Sequence, residues 1–164
     1  MISGAPKRGH TRPQLRIGRS FRATHGTKDF EMNRSVTIAI VEDDDGVRTS
    51  LVSLIRSLGY EVRSYGSAPA FLNDREVGDP DCMITDIQMP QMTGDQLQAE
   101  LIAAGRRFPM IFMTAFSTEA TRNRVMAAGA SAYLDKPVDG DTIARCLAAA
   151  LERRHPSEAA SLRP

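Results

Sequence analysis

An α/β fold built on a doubly wound parallel sheet is what this sequence predicts, and two observations carry the prediction. Short apolar or β-branched runs alternate with segments of helical period five times between Val36 and Leu151. The connections between them are short, and strict βα alternation calls for parallel strands, right-handed crossovers and helices on both faces. Five such units in about 120 residues suit an open sheet rather than an eight-stranded barrel.

The elements follow in order. Residues 36–41 (VTIAIV) form a compact β-branched run, the mark of a buried parallel strand. After an acidic stretch, Val47, Leu51, Leu54, Ile55 and Leu58 recur at helical spacing and Gly59 supplies a stop. EVRSY is a second short strand, and Ser67 is placed to cap a short helix holding Phe71 and Leu72. CMITD (82–86) is the third strand, followed by a loop with Pro90 and Gly94 and a helix through Leu97 and Leu101 that closes at Gly105. Pro109 introduces the strand MIFMT, and Ser117 or Thr118 caps a helix running to Gly129. AYLD is a brief fifth strand, then Lys136-Pro137, and Asp139 or Asp141 opens a last helix with Ile143, Leu147 and Leu151 on one face.

Composition narrows the function classes. A hydrophobic fraction of 41% and a charged fraction of 25% are those of a globular chain able to bury a core. The formal charge of +1 hides an asymmetry: residues 1–34 hold eight basic and two acidic residues, for +6, and the remainder holds 13 basic and 18 acidic, for −5. The first 31 residues show neither period and are rich in Gly, Pro, Thr and Arg, so residues 1–34 are expected to be a disordered basic extension. Such an arm can tether nucleic acid or acidic partners, but a domain starting at Met32, with a start site assigned too early, is the plainer account. Cys82 and Cys146 stand alone without metal-ligand spacing, which argues against a zinc site or a disulfide scaffold and for two buried thiols in a reducing cytosol. The run at 36–41 is far too short to span a bilayer, and the arm lacks the apolar region of a secretory signal. The expected setting is cytoplasmic, with no membrane partner.

In open parallel sheets ligands sit at the carboxyl ends of the strands. Glu42, Asp43, Asp44 and Asp45 follow the first strand, Asp86 ends the third, Thr114 ends the fourth and Lys136 follows the fifth. With the flavodoxin-like order 2-1-3-4-5, those strands are successive neighbours roughly 4.8 Å apart, so the side chains can converge on one cleft. Each has a plain explanation alone. Asp44 and Asp45 suit a helix N-terminus, Asp86 a turn, and Lys136 a solvated surface; their sharing one edge is the signal. Crowded carboxylates are costly without a cation, and all-oxygen ligands suit a hard ion such as Mg2+. Lysine and threonine can hold phosphoryl oxygens, and a carboxylate can attack phosphorus to give an aspartyl-phosphate.

Four blocks, IVEDD (40–44), ITDIQMPQMTG (84–94), MTA (113–115) and YLDKP (133–137), resemble the receiver domain of bacterial two-component response regulators. The separations agree too: 43 residues from Asp43 to Asp86, 28 from Asp86 to Thr114 and 22 from Thr114 to Lys136. The resemblance implies a receiver domain over residues 35–154, with Asp86 as phosphoacceptor from a sensor histidine kinase or phosphotransfer protein. It implies Mg2+ held by Asp43, Asp86 and the Gln88 backbone carbonyl, with Glu42 acting through water. Lys136 would pair with Asp86 and then its phosphate, the small Ala115 would leave the phosphate accessible, and Pro137 would follow a cis bond that aims Lys136. Thr114 and Tyr133 resemble the switch pair, the hydroxyl moving to the phosphate as the ring turns inward and alters the face formed by helix 4, strand 5 and helix 5. That face would meet a downstream protein, and the resemblance also allows a phosphorylation-dependent homodimer. The implied role is a signalling domain, not a conventional enzyme, that promotes its own phosphorylation and dephosphorylation and relays a signal or drains phosphate from a kinase.

Two features depart from the family: Glu42 stands where Asp is commoner, and only ten residues (155–164, a short flexible tail) follow the last helix, with no output domain. The blocks resemble receivers that precede helix-turn-helix transcription regulators, so a truncated regulator is one alternative, and direct DNA binding is disfavoured. A haloacid-dehalogenase-type phosphohydrolase would show D-x-D where this chain has Asp86-Ile87-Gln88, and a large cap insertion that it lacks. A basic-armed nucleic-acid binder would rest on an arm with one aromatic, Phe21, before its last few residues. A phosphorylation-independent pseudo-receiver is disfavoured because the acids, Thr114 and Lys136 are all present.

Overall fold

The structure, a computed structural model, describes residues 34–154. The extension before Arg34 and the tail after Arg154, for which disorder and flexibility are expected, lie outside the described residues. Five strands alternate with five helices: β1 (Thr37–Val41), α1 (Asp45–Ser57), β2 (Glu61–Tyr65), α2 (Ala68–Asn73), β3 (Cys82–Asp86), α3 (Gly94–Ala103), β4 (Met110–Thr114), α4 (Glu119–Ala127), β5 (Ala132–Asp135) and α5 (Gly140–Arg154). The strands pair in parallel in the order β2-β1-β3-β4-β5, the predicted sheet.

Period-two alternation divides each strand between two cores. Ile38, Ile40 and Ile84 pack with Ile55 of α1 and Leu147 of α5, whereas Ala39, Val41 and Phe112 pack with Phe71 of α2, Leu97 of α3 and Val125 of α4. β3 and β4 are buried at every position, as strands covered on both faces must be. β2 sits at the sheet edge and is only partly buried, which is why it tolerates Glu61 and Arg63.

Local chemistry sets the helix ends. The Asp44 carboxylate caps α1 by accepting from the Val47 N–H at 2.9 Å, and Asp45 lies in the first turn, so both acids serve the helix N-terminus. Of the paired alternatives, Thr118 caps α4, and Asp139 accepts from the Thr142 N–H at 2.7 Å ahead of α5. Gly59 follows α1 with φ +90°, a conformation that favours glycine. Two expectations change. Leu58 is the C-cap of α1 and is 40% exposed, because the chain leaves the helix there and turns its side chain off the apolar stripe. Cys146 is only half-buried, unlike Cys82.

α4 is attached differently from its neighbours. It buries only Val125, and it is tied to α3 by polar groups: Arg124 donates to Asp95 Oδ2 at 3.1 and 2.7 Å, and Gln98 Nε2 donates to the Val125 carbonyl at 3.1 Å. Burial would raise the Asp95 carboxyl, but the Thr93 hydroxyl and Arg124 outweigh it and hold Asp95 below its usual range. A depressed carboxyl stabilises the fold above its unfolded value and loses that contribution as pH falls through the folded one. Asp95→Asn should therefore cost about 0.5–1 kcal/mol at neutral pH, since Arg124 is well exposed. Urea melts should show that gap closing as the pH falls below the ordinary carboxylate range; a gap independent of pH would mean the pair contributes nothing.

Candidate functional site

The carboxyl ends of β1, β3, β4 and β5 form one edge, and the residues expected to converge there do so. Asp86 ends β3, 8% exposed, because β3 runs between β1 and β4 and carries its last side chain to the rim. One Asp86 oxygen, Oδ1, accepts from the Gln88 N–H at 3.2 Å; the other, Oδ2, lies 3.3 Å from Lys136 Nζ. Glu42 is 2% exposed, and its carboxylate accepts from the Asp44 N–H at 3.1 Å and from Lys136 Nζ at 2.8 Å. Lys136 is thus shared between two carboxylates and lies nearer Glu42 than Asp86, where pairing with Asp86 was the expectation. The longer Glu42 side chain reaches across the edge to a lysine on the far side of β3, which a shorter acid would reach less easily.

Burial pushes the Glu42 carboxyl up from its ordinary value, and the Lys136 hydrogen bond only partly offsets this. Burial alone would lower Lys136, but the Glu42 hydrogen bond and the Asp86 and Glu42 charges raise it, so the ammonium is charged at neutral pH. Asp43, exposed beside Glu42, completes a triad: Glu42, Asp43 and Asp86 each offer an oxygen, all within 4.8 Å of one another. Three hard oxygen donors at the rim, with no histidine or thiol among them, fit Mg2+.

Thr114 ends β4, fully buried, and its Oγ1 accepts from the Phe116 N–H at 3.2 Å; its carbonyl accepts from the Lys136 N–H at 2.8 Å, which binds the β5 exit to β4. Ala115 and Gln88 are exposed at the rim, and the Lys136–Pro137 bond is cis, as the resemblance implied. Tyr133 is not at the acid cluster. It faces the α4 side of the sheet, 5% exposed, within the core that holds Phe112 and Val125.

The sequence places Gly94, the first residue of α3, only as a loop glycine at the end of the 84–94 block, and does not foretell its packing against Asp86. A Cβ there would meet the Asp86 carbonyl oxygen at 2.2 Å, and the Gly94 N–H donates to the Ile87 carbonyl at 2.8 Å. The start of α3 thus lies directly on the backbone that carries Asp86. The only trace in the sequence is a glycine eight residues past Asp86, within a loop otherwise rich in polar residues and methionine.

Comparison with known proteins places this geometry. The response regulator receiver domain family matches residues 38–148. The chain belongs to that family. The receiver is 36% identical over 122 residues to the transcriptional regulatory protein FixJ of Azorhizobium caulinodans, covering 74% of this chain and 58% of that protein. It is 33% identical over 120 residues to the response regulator protein TodT of Pseudomonas putida, covering 73% of this chain and 53% of that protein. The chain thus spans little more than half the length of these relatives. Among solved structures, that of FixJ-N superposes with a TM-score of 0.67 at 29% identity, over 73% of this chain and 95% of that one. The response regulator StyR gives a TM-score of 0.68 at 33% identity, over 78% of this chain and 67% of that one. Receivers are signalling domains of two-component systems, which is the class that the strand-end residues pointed to.

Proposed function

We propose that this receiver is switched by phosphorylation of Asp86, in a Mg2+-dependent transfer from the phosphohistidine of a sensor kinase or phosphotransfer protein. The observation that supports this most is the setting of Asp86: a buried strand-end carboxylate 3.3 Å from Lys136 Nζ and inside a cluster of three acids. In the transfer an Asp86 oxygen forms the new O–P bond as the N–P bond of the donor breaks, and the electron pair leaves on the donor imidazole. Asp43, Asp86 and the Gln88 carbonyl would hold Mg2+ directly and Glu42 through water; the ion supplies positive charge against the transferring oxygens. Lys136 holds one phosphoryl oxygen by charge, and Ala115 leaves room for the group. Thr114 turns its hydroxyl from the Phe116 N–H to the phosphoryl oxygen, and Tyr133 fills the space on its inner side. Output then passes through protein contacts on the face of α4, β5 and α5, or the chain serves as a phosphate sink. Homodimerisation through that face is one form such output can take.

The free thiols of Cys82 and Cys146 suit a cytoplasmic setting, and among the described residues no helix is long and apolar enough to cross a membrane. Incubation with acetyl phosphate tests the proposal. Intact mass should rise by about 80 Da, one phosphoryl group, only when Mg2+ is present, and hydroxylamine should remove the adduct as it does any acyl phosphate. A hydroxylamine-stable adduct would assign the chemistry to another residue type. Absence of an adduct from both acetyl phosphate and a kinase, together with no binding of beryllofluoride, would favour a phosphorylation-independent receiver.

A further inference from the structure

Tyr133 raises a question that its burial alone does not answer. The hydroxyl is buried and has no hydrogen-bond partner among the described residues. A buried hydroxyl without a partner is unfavourable, so contacts of the ring must hold the side chain inward. One of these is cationic. The Arg122 guanidinium, presented from α4, lies over the Tyr133 ring with its central carbon 4.7 Å from the ring centroid, well inside cation–π range. On its other side Arg122 faces Asp135 Oδ2 at 3.7 Å. That ion pair is weak by itself, both partners being about half exposed. Its geometric effect is larger: Tyr133 and Asp135 lie two residues apart on β5, so Asp135 steers the guanidinium back over the ring.

We propose that Arg122 is a positioning residue for Tyr133, a cationic cap that favours the inward ring and thereby favours the phosphorylated state of Asp86. This rests on the reading of Thr114 and Tyr133 as the switch. The link is thermodynamic: a contact made only with the inward ring must strengthen the binding of any ligand that prefers that state. α4 suits the task because it buries a single side chain and is held to α3 by Asp95–Arg124 and Gln98, so its contact with β5 adjusts without breaking a core. A plain surface ion pair with Asp135 would predict no effect on the phosphoacceptor site.

The test titrates beryllofluoride, with Mg2+, into wild type, Arg122→Ala, Arg122→Lys and Asp135→Asn, while labelled tyrosine ring resonances report ring position. Tyr133→Phe assigns the Tyr133 signals. Arg122→Ala should weaken beryllofluoride binding about two- to five-fold and move the ring signals toward those of a solvent-exposed tyrosine. Arg122→Lys should recover part of both, and Asp135→Asn should shift both in the same direction by less. Unchanged affinity and unchanged ring signals in a folded Arg122→Ala protein would overturn the proposal. Should that variant fail to fold, the ring signals of Arg122→Lys and Asp135→Asn decide in the same way. If wild type binds no beryllofluoride and gains no adduct from acetyl phosphate or a kinase, the phosphoacceptor reading fails instead, and the ring signals alone still decide whether Arg122 holds Tyr133.

Discussion

Asp86→Asn should leave the receiver folded and unable to accept a phosphoryl group. The amide has the shape of the carboxylate and keeps an oxygen for the Gln88 N–H, which is 3.2 Å from Asp86 Oδ1. It has lost the charge and lone-pair availability that make a carboxylate a nucleophile toward phosphorus. Stability changes from two opposing causes. One of three crowded acids becomes neutral, which relieves repulsion, and the Lys136 attraction at 3.3 Å is lost while Lys136 keeps Glu42 at 2.8 Å. The thermal midpoint should therefore move by no more than about 5 °C. Acetyl phosphate with Mg2+ should add about 80 Da to wild type and nothing to the variant. A variant that still gains the group would move the acceptor to another carboxylate, with Asp43 first in line because it shares the cluster.

Gly94→Ala should damage fold and site together. The added Cβ would lie 2.2 Å from the Asp86 carbonyl oxygen, 3.1 Å from its carbon and 3.2 Å from the Ile87 Cα, all backbone atoms of the segment that carries Asp86. No side-chain rotation can relieve such a contact, so either α3 is displaced or Asp86 is. Overpacking of this kind costs about 1–3 kcal/mol, and loss of the 2.8 Å hydrogen bond from Gly94 to Ile87 adds about 1 kcal/mol. For a domain of this size the midpoint should fall by roughly 10 °C or more, and phosphoryl uptake should slow in the fraction that stays folded. Gly78→Ala is the matched control, since a Cβ there meets nothing within 4 Å. Equal melting of the two variants would show that α3 yields freely and that the close approach constrains nothing.

Much of this was legible in one dimension because burial writes itself as period. Ile38, Ile40 and Ile84 against Ala39, Val41 and Met83 show alternate residues feeding two cores, and the flanking helices repeat every three to four residues. Once five strands are read as parallel, topology places their carboxyl ends together. Glu42, Asp43, Asp86, Thr114 and Lys136 can thus be gathered from the chain alone. Where period was weak the reading was weaker: Leu58 looked like part of an apolar stripe and proved to be an exposed cap, because the last buried residue of α1 is Ile55 and the helix ends at Ser57.

The sequence by itself determined the order of elements, the parallel sheet, the family and the set of residues at the functional edge, since each depends on local pattern or on spacing along the chain. Only the tertiary structure decided which partner each residue takes. Lys136 divides itself between Glu42 and Asp86, 94 and 50 positions away; Gly94 lies against the Asp86 backbone; Arg122 covers Tyr133. Such choices turn on distances of a few tenths of an ångström between segments remote in sequence. Packing contacts change steeply over that range, and no periodicity records it.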